Sequence, residues 1–182
     1  MKTALVVLAE GFETIEALTP VDVLRRLGVK VTVAGLGGLE ITSAHKVTVK
    51  ADALLAPALA PVDAIVLPGG LPGAVHLGES ALLQEMATAQ LARGGIVAAI
   101  CAAPAKTLAR WGLLSGKTAT CYPGCEAEFP ADARYVEAPV VVDGPVVTSR
   151  GPATALPFAY RLAGLLLGDA AVADLQRKML YA

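Results

Sequence analysis

A single doubly wound α/β domain over residues 1–182, with a mostly parallel sheet covered by helices on both faces, is the fold this sequence predicts. Three observations lead there. Short apolar runs alternate with helical patterns along the chain, and strand, helix, strand, helix at that spacing builds a parallel sheet. The runs are continuously apolar rather than alternating, as in strands buried on both faces. The chain is also 55% hydrophobic but only 4% aromatic, so its core has to be aliphatic. At 182 residues it needs neither disulfide nor metal to hold that core.

Thr3–Ala9 reads as the first buried strand. Ile15–Leu27 reads as a helix ending at Gly28, a C′ glycine. Pro20 either opens the helix proper, with Thr19 as N-cap, or kinks a longer one. Lys30–Ala34 is a strand closed by Gly35, Gly37 and Gly38. Ile41–Ser43 and Val47–Lys50 form a small antiparallel pair on the rim. Ala64–Leu67 is a buried strand ended by Pro68-Gly69-Gly70. Ser80–Arg93 is an amphipathic helix stopped by Gly94-Gly95. Ile96–Ile100 is a strand, and Ala103–Trp111 a helix ending at Gly112. Thr118–Thr120, Val140–Val142 and Val146–Ser149 are further strands, the last two joined through Asp143-Gly144. Leu156–Leu167 and Ala170–Leu180 close the chain as helices. There is no long linker, internal repeat or low-complexity tract.

Several function classes are excluded early. Fifteen basic residues face sixteen acidic ones, so no electrostatic footprint for nucleic acid exists. Mean hydropathy is +0.60, but Gly, Pro or charge breaks every apolar run well short of the ~20 residues a spanning helix needs. The segment after Lys2 is too short for a signal peptide and runs at once into Glu10 and Glu13. Three cysteines, Cys101, Cys121 and Cys125, are an odd count without scaffold spacing. A reducing, cytoplasmic setting and thiol chemistry follow more naturally than a disulfide framework.

The most informative stretch is Ile96 to Pro104. A buried strand ends in Cys101 and a helix begins at once. Ala99 and Ala103 flank the cysteine two residues away on either side, the size pattern of a nucleophile elbow. The placement puts Cys101 beyond the carboxyl end of a parallel strand, where open α/β sheets bind ligands. It also puts the thiol beside a helix N-terminus, whose dipole is expected to lower its pKa. A glycine turn at Leu67-Pro68-Gly69-Gly70 leaves a second strand end. Its N–H groups, with that of Ala102, suit an oxyanion hole. At the first strand end, Glu10, Glu13 and Glu16 cluster. Glu16 either faces the same crevice as an acid with a raised pKa or simply complements the helix dipole with Glu13.

Together these stretches resemble the ThiJ/PfpI superfamily, in the branch of the parkinsonism-associated protein deglycase. The resemblance rests on Ala4–Ala9, Pro20–Arg26, Val31–Leu36, Val66–Gly70, Ala98–Ala102 and Thr148–Pro152, in order along nearly the whole chain. It implies a flavodoxin-like three-layer sandwich and a homodimer, with Val21, Leu24 and Arg25 near the seam. It makes Cys101 the nucleophilic and oxidisable cysteine, Glu16 the acid beside it, and Gly70 and Ala102 the amide donors. Gly69 and Arg150 would line the site, with an Arg26 or His45 contact across the dimer. It implies glutathione-independent glyoxalase activity, deglycation of methylglyoxal- or glyoxal-adducted thiols and amines, or oxidative-stress sensing and chaperoning.

The sequence departs from that pattern in one respect. Its histidines, His45 and His76, both precede Cys101, and the segment where many family members carry a histidine offers Cys121 or Tyr122. Glu16 is then the main acid/base, and His76, after the glycine turn, reads as a surface-loop residue. The missing downstream histidine disfavours a glutaminase. Ala102 after the cysteine disfavours the peptidase relatives, whose motif is Cys-His. No Ser/Thr/Gly-rich phosphate loop follows the first strand, so an FMN site lacks support, and no cofactor or metal is expected. The resulting expectation is an enzyme of small 2-oxoaldehydes or their adducts. The alternative is a redox sensor or holdase that uses oxidation of Cys101.

Overall fold

The computed structural model describes residues 1–181. Seven strands form the main sheet: β1 (Thr3–Leu8), β2 (Lys30–Gly35), β5 (Ala53–Leu54), β6 (Ala64–Leu67), β7 (Ile96–Ile100), β10 (Val140–Asp143) and β11 (Val146–Ser149). Their order is β10-β11-β7-β6-β1-β2-β5, and every pairing is parallel except β10 with β11. β1, β6 and β7 occupy the middle, and their continuous apolar runs are buried on both faces, as the lack of alternation predicts. From β1 the chain moves to β2 on one side and returns to β6 on the other. The crevice at such a switch point is where doubly wound sheets place their ligands.

Helices α1 (Thr14–Arg26), α2 (Gly73–Glu79), α3 (Ala81–Ala92), α4 (Ala155–Leu167) and α5 (Asp169–Lys178) cover the sheet. The rim pair is β3 (Glu40–Thr42) with β4 (Thr48–Lys50), antiparallel as expected. A further short pair, β8 (Thr118–Ala119) with β9 (Arg134–Tyr135), is parallel and lies outside the main sheet.

Some elements differ from the sequence expectation for physical reasons. α1 runs unbroken through Pro20, so Pro20 neither starts nor splits it. Its missing N–H leaves the carbonyl of Glu16, four residues earlier, without its helical donor. The segment after Cys101 is π-helical over Pro104–Ala109 rather than α-helical over Ala103–Trp111. α2 falls where a loop was expected, so His76 is a helical residue. Val21 and Leu24 are buried in this chain's own core, and Arg25 pairs with Asp52 at 2.7 Å. No helix among the described residues is long and apolar enough to cross a membrane.

Candidate functional site

Three strand ends meet at the switch point. β7 ends in Cys101, which has φ +66°. A non-glycine residue in the left-handed region is strained, and such strain persists only where the surroundings enforce it. Here the enforcement is visible. The Cys101 N–H donates to the Ser149 carbonyl at 3.0 Å, and its own carbonyl accepts the Tyr122 N–H at 2.8 Å. The elbow is thus clamped between the end of β11 and the segment after β8.

β6 ends in the Pro68-Gly69-Gly70 turn. A Cβ on Gly69 would lie 2.6 Å from the Cys101 Cβ and 2.7 Å from Glu16 Oε2, so only glycine lets the turn pass this close. Gly70 has φ +86°, which glycine alone adopts without strain. The Gly69 carbonyl accepts the Glu13 N–H at 2.9 Å, which lashes this turn to the loop after β1.

Glu13 is the N-cap of α1, its Oε1 accepting the Ile15 N–H at 3.4 Å. That start sets Glu16 in the first turn, pointing inward. Glu16 is fully buried. Its Oε2 accepts the Gly69 N–H at 2.9 Å. Its Oε1 has no partner in good hydrogen-bonding geometry, and the Cys101 thiol is the side chain beside the carboxyl. Burial pushes Glu16 up to about 7, against the hydrogen bonds from Cys101 and Gly69 and with help from the charge of Glu13. An orphaned oxygen on a carboxyl that titrates near neutrality is the place for a proton aimed at sulfur.

Cys101 itself departs from the expected direction. Burial pushes the thiol well above its usual range, and an ionised Glu16 pushes it further. The backbone N–H groups of Gly70 and Ala102 pull it back. Helix-terminal placement therefore does not lower the thiol pKa on its own. The carboxyl and the thiol together hold at least one proton near neutrality, and the thiolate is favoured only when Glu16 carries it.

The remaining candidates spread outward. Tyr122 and Arg150, with Pro123 and Gly151 to Thr154, line an apolar cavity of about 270 Å³ beside the elbow. Arg150 faces Glu137 at 3.6 Å, and its Nε is buried without a partner. Cys121 is fully buried and is not part of that cavity wall. Burial, with Cys125 next to it, pushes its thiol up to about 12. Its neighbour Tyr122 is half exposed, so at this position the chain passes from the interior to the surface. Arg26 pairs with Asp22 on its own helix at 2.8 Å. His45 reaches Glu13 of its own chain at 3.1 Å, a contact that sequence reasoning missed. His76 Nδ1 lies 3.1 Å from the Glu10 carbonyl.

Residues 2–164 match the DJ-1/PfpI family. Over 184 aligned residues the chain is 44% identical to Protein dj-1beta of Drosophila melanogaster, covering 100% of this chain and 98% of that protein. It is 32% identical to glutathione-independent glyoxalase DJR-1.2 of Caenorhabditis elegans, covering 92% and 90%. The structure of oxidised Toxoplasma gondii DJ-1 superposes with a TM-score of 0.95 at 39% identity, covering all of both chains.

Proposed function

The chain belongs to the DJ-1/PfpI family, and from that premise we propose that it is a cofactor-independent cysteine enzyme of the glyoxalase or deglycase type. Its substrates are small 2-oxoaldehydes such as methylglyoxal and glyoxal, or their adducts with thiols and amines. The observation that carries this reading is the strained Cys101 elbow with a near-neutral buried carboxyl on one side and two backbone N–H groups on the other. Similarity to a protein named as a glutathione-independent glyoxalase supports it.

The chemistry runs within that cradle. Sulfur of Cys101 adds to the aldehyde carbon, and the displaced carbonyl electrons collect on oxygen beside the Gly70 and Ala102 N–H groups. Protonation of that oxygen gives a hemithioacetal. Glu16 as carboxylate removes the remaining hydrogen from that carbon as a proton and returns it to the neighbouring one through an enediol. The product is a thioester of a 2-hydroxy acid. Water cleaves it, releasing lactate or glycolate and restoring the thiol. Gly69 keeps the turn close enough for these groups to act together, and Arg150 and Tyr122 shape the mouth.

A homodimer belongs to the same proposal, and light scattering at micromolar concentration tests it. Its supporting feature is a set of exposed apolar residues, Ile15, Leu39, Val47 and Leu54, at the start of α1 and along the β3–β4 and β5 edge. The decisive experiment for the activity measures lactate from methylglyoxal with wild type, Cys101→Ser and Glu16→Gln. Lactate from wild type alone supports the enzyme. No lactate from wild type overturns it and leaves stress protection through oxidation of Cys101, held in the same cradle, as the second reading.

A further inference from the structure

Two contacts hold Cys101 in its strained backbone, and both lead into the same cavity wall. Its N–H donates to the Ser149 carbonyl at 3.0 Å, and its carbonyl accepts the Tyr122 N–H at 2.8 Å. Tyr122 lines the cavity beside the elbow, and so does the chain that follows Ser149, from Arg150 to Thr154. Ser149 is fully buried at the end of β11. Whatever fixes Ser149 therefore fixes the nucleophile and the mouth together.

Two hydroxyls do the fixing. Ser149 Oγ lies 2.7 Å from the Pro139 carbonyl oxygen and 2.7 Å from Thr154 Oγ1. Thr154 Oγ1 also accepts the Arg150 N–H at 3.2 Å and the Gly151 N–H at 3.1 Å. Each hydroxyl has one proton and two lone pairs, so the directions follow by elimination. The Pro139 carbonyl can only accept, and it takes the Ser149 proton. The short contact between the hydroxyl oxygens then takes the Thr154 proton, and both lone pairs of Thr154 Oγ1 serve backbone N–H groups. The Gly151 carbonyl, 2.9 Å from Thr154 Oγ1, keeps the Thr154 N–H at 2.9 Å. The result is a chain of donors pointing one way, from Arg150 and Gly151 through Thr154 and Ser149 to Pro139. In such a chain each bond polarises and strengthens the next.

We propose that Ser149 and Thr154 are positioning residues, whose hydroxyls lock the Cys101 elbow and the Arg150 wall of the cavity into one fixed relation. The proposal rests on the reading of Cys101 as the nucleophile. A non-glycine residue with positive φ stays strained only while its neighbours over-determine it. Once Ser149 can drift, the elbow relaxes, and sulfur leaves the Gly70 and Ala102 N–H groups that face it. The two hydroxyls have separable tasks. Ser149 holds the elbow. Thr154 holds both elbow and mouth, because the Arg150 and Gly151 N–H groups end on it.

Methylglyoxal turnover and iodoacetamide labelling of Cys101 test this side by side. Ser149→Ala should lower kcat by about 10²-fold, the cost of a ~1 Å misplacement. Its KM should change little, since Thr154 still gathers the two N–H groups. Thr154→Val keeps the shape and loses the hydroxyl, so kcat should fall and KM should rise several-fold. Thr154→Ser returns the hydroxyl and should restore both. Labelling of Cys101 at neutral pH should drop about tenfold in Ser149→Ala and Thr154→Val, the change in thiolate that one pKa unit makes, and recover in Thr154→Ser. Thr3→Val is the control. It removes the hydroxyl that donates to Asp63 Oδ2 at 3.0 Å and accepts the Asp63 N–H at 3.1 Å, at the end of β1 away from the elbow. It should lower stability without a change at Cys101. Labelling and kcat that move no further in Ser149→Ala and Thr154→Val than in Thr3→Val overturn the proposal, as does a Thr154→Ser protein that stays impaired. Where Thr154→Val does not fold, Ser149→Ala against Thr3→Val decides. A wild type that forms no lactate sinks the enzyme reading, and labelling then judges the positioning alone.

Discussion

Cys101 and Cys121 are both buried thiols, and a single backbone hydrogen bond of 2.8 Å links Cys101 to the residue after Cys121. Burial raises the pKa of each. What separates them is company. Cys101 has a carboxyl that titrates near 7, two backbone N–H groups aimed at sulfur, and a glycine turn pressed against it. Cys121 has another thiol and the carboxylates of Glu126 and Glu128, with only Arg150 in opposition. On the proposed reading, a buried cysteine becomes a nucleophile through the group that can hold its proton, not through burial or proximity to a crevice.

The largest expected effect breaks the comparison at the sulfur. Cys101→Ser should cost roughly 10³-fold or more in methylglyoxal turnover, as removal of a nucleophile does. Cys121→Ser should leave turnover largely intact. Limiting iodoacetamide followed by peptide mass spectrometry should label Cys101 ahead of Cys121, and ahead of the partly exposed Cys125. Equal losses in the two serine variants would erase the distinction.

Removal of the proton holder comes next. Glu16→Gln should lower turnover by ~10²-fold or more while Cys101 can still be alkylated. The same variant carries a stability signature. The folded pKa of about 7 lies above the ordinary 4.5, so the unfolded chain ionises first as pH rises. Wild type should therefore lose stability between about pH 4.5 and 7 and level off above. At 1.36 kcal/mol per pKa unit the loss is about 3 kcal/mol. Denaturant titrations across that window should show the slope in wild type and a flatter profile in Glu16→Gln. A wild-type profile without the slope would mean Glu16 is ionised as an ordinary carboxylate.

How much of this was legible from sequence depends on how local each cause is. The Cys101 elbow is a strand, one residue and a helix start, all within nine positions, so Ile96 to Pro104 announces it. The Gly69-Gly70 turn is equally local. Glu16 could be placed one turn from Glu13, but its inward aim depends on where α1 begins, which the Glu13 cap decides. The Glu13–His45 pair was invisible, because it needs the β3–β4 turn to fold back on the loop after β1 across 32 residues of chain. α2 was missed since Gly73-Ala74-Val75-His76-Leu77-Gly78 has two glycines and little apolar periodicity, and packing rather than propensity makes it helical. Which side chain lines the neighbouring cavity was hidden for a related reason. The chain after β8 turns at Tyr122–Cys125, closed by the Cys125 N–H on the Tyr122 carbonyl at 3.0 Å, and that turn decides which side chain meets the cavity.

The smallest effects test the comparison through glycines. A Cβ at Gly69 would meet the Cys101 Cβ at 2.6 Å, Glu16 Oε2 at 2.7 Å and the Ile100 carbonyl oxygen at 2.8 Å. None of these can yield cheaply, because two belong to the clamped elbow and the third is the proton holder. Gly69→Ala should cost about 1–3 kcal/mol, the range for overpacking, and take turnover down with it. Gly151 stands on the Arg150 side of the cavity with φ 172°, an extended conformation open to any residue. Its added Cβ would find only the Tyr122 ring, at 3.4 Å, and an aromatic ring that is half exposed can shift by a few tenths of an ångström. Gly151 is buried, but its added methyl asks only for that small shift of Tyr122, so Gly151→Ala should cost less stability than Gly69→Ala. Its effect on turnover should be confined to KM, since the methyl group narrows the mouth without touching the sulfur, the carboxyl or the amides. Thermal denaturation and steady-state kinetics on both variants settle the contrast. A Gly151→Ala protein that loses kcat as heavily as Gly69→Ala would place the mouth, rather than the glycine turn, against the reacting atoms.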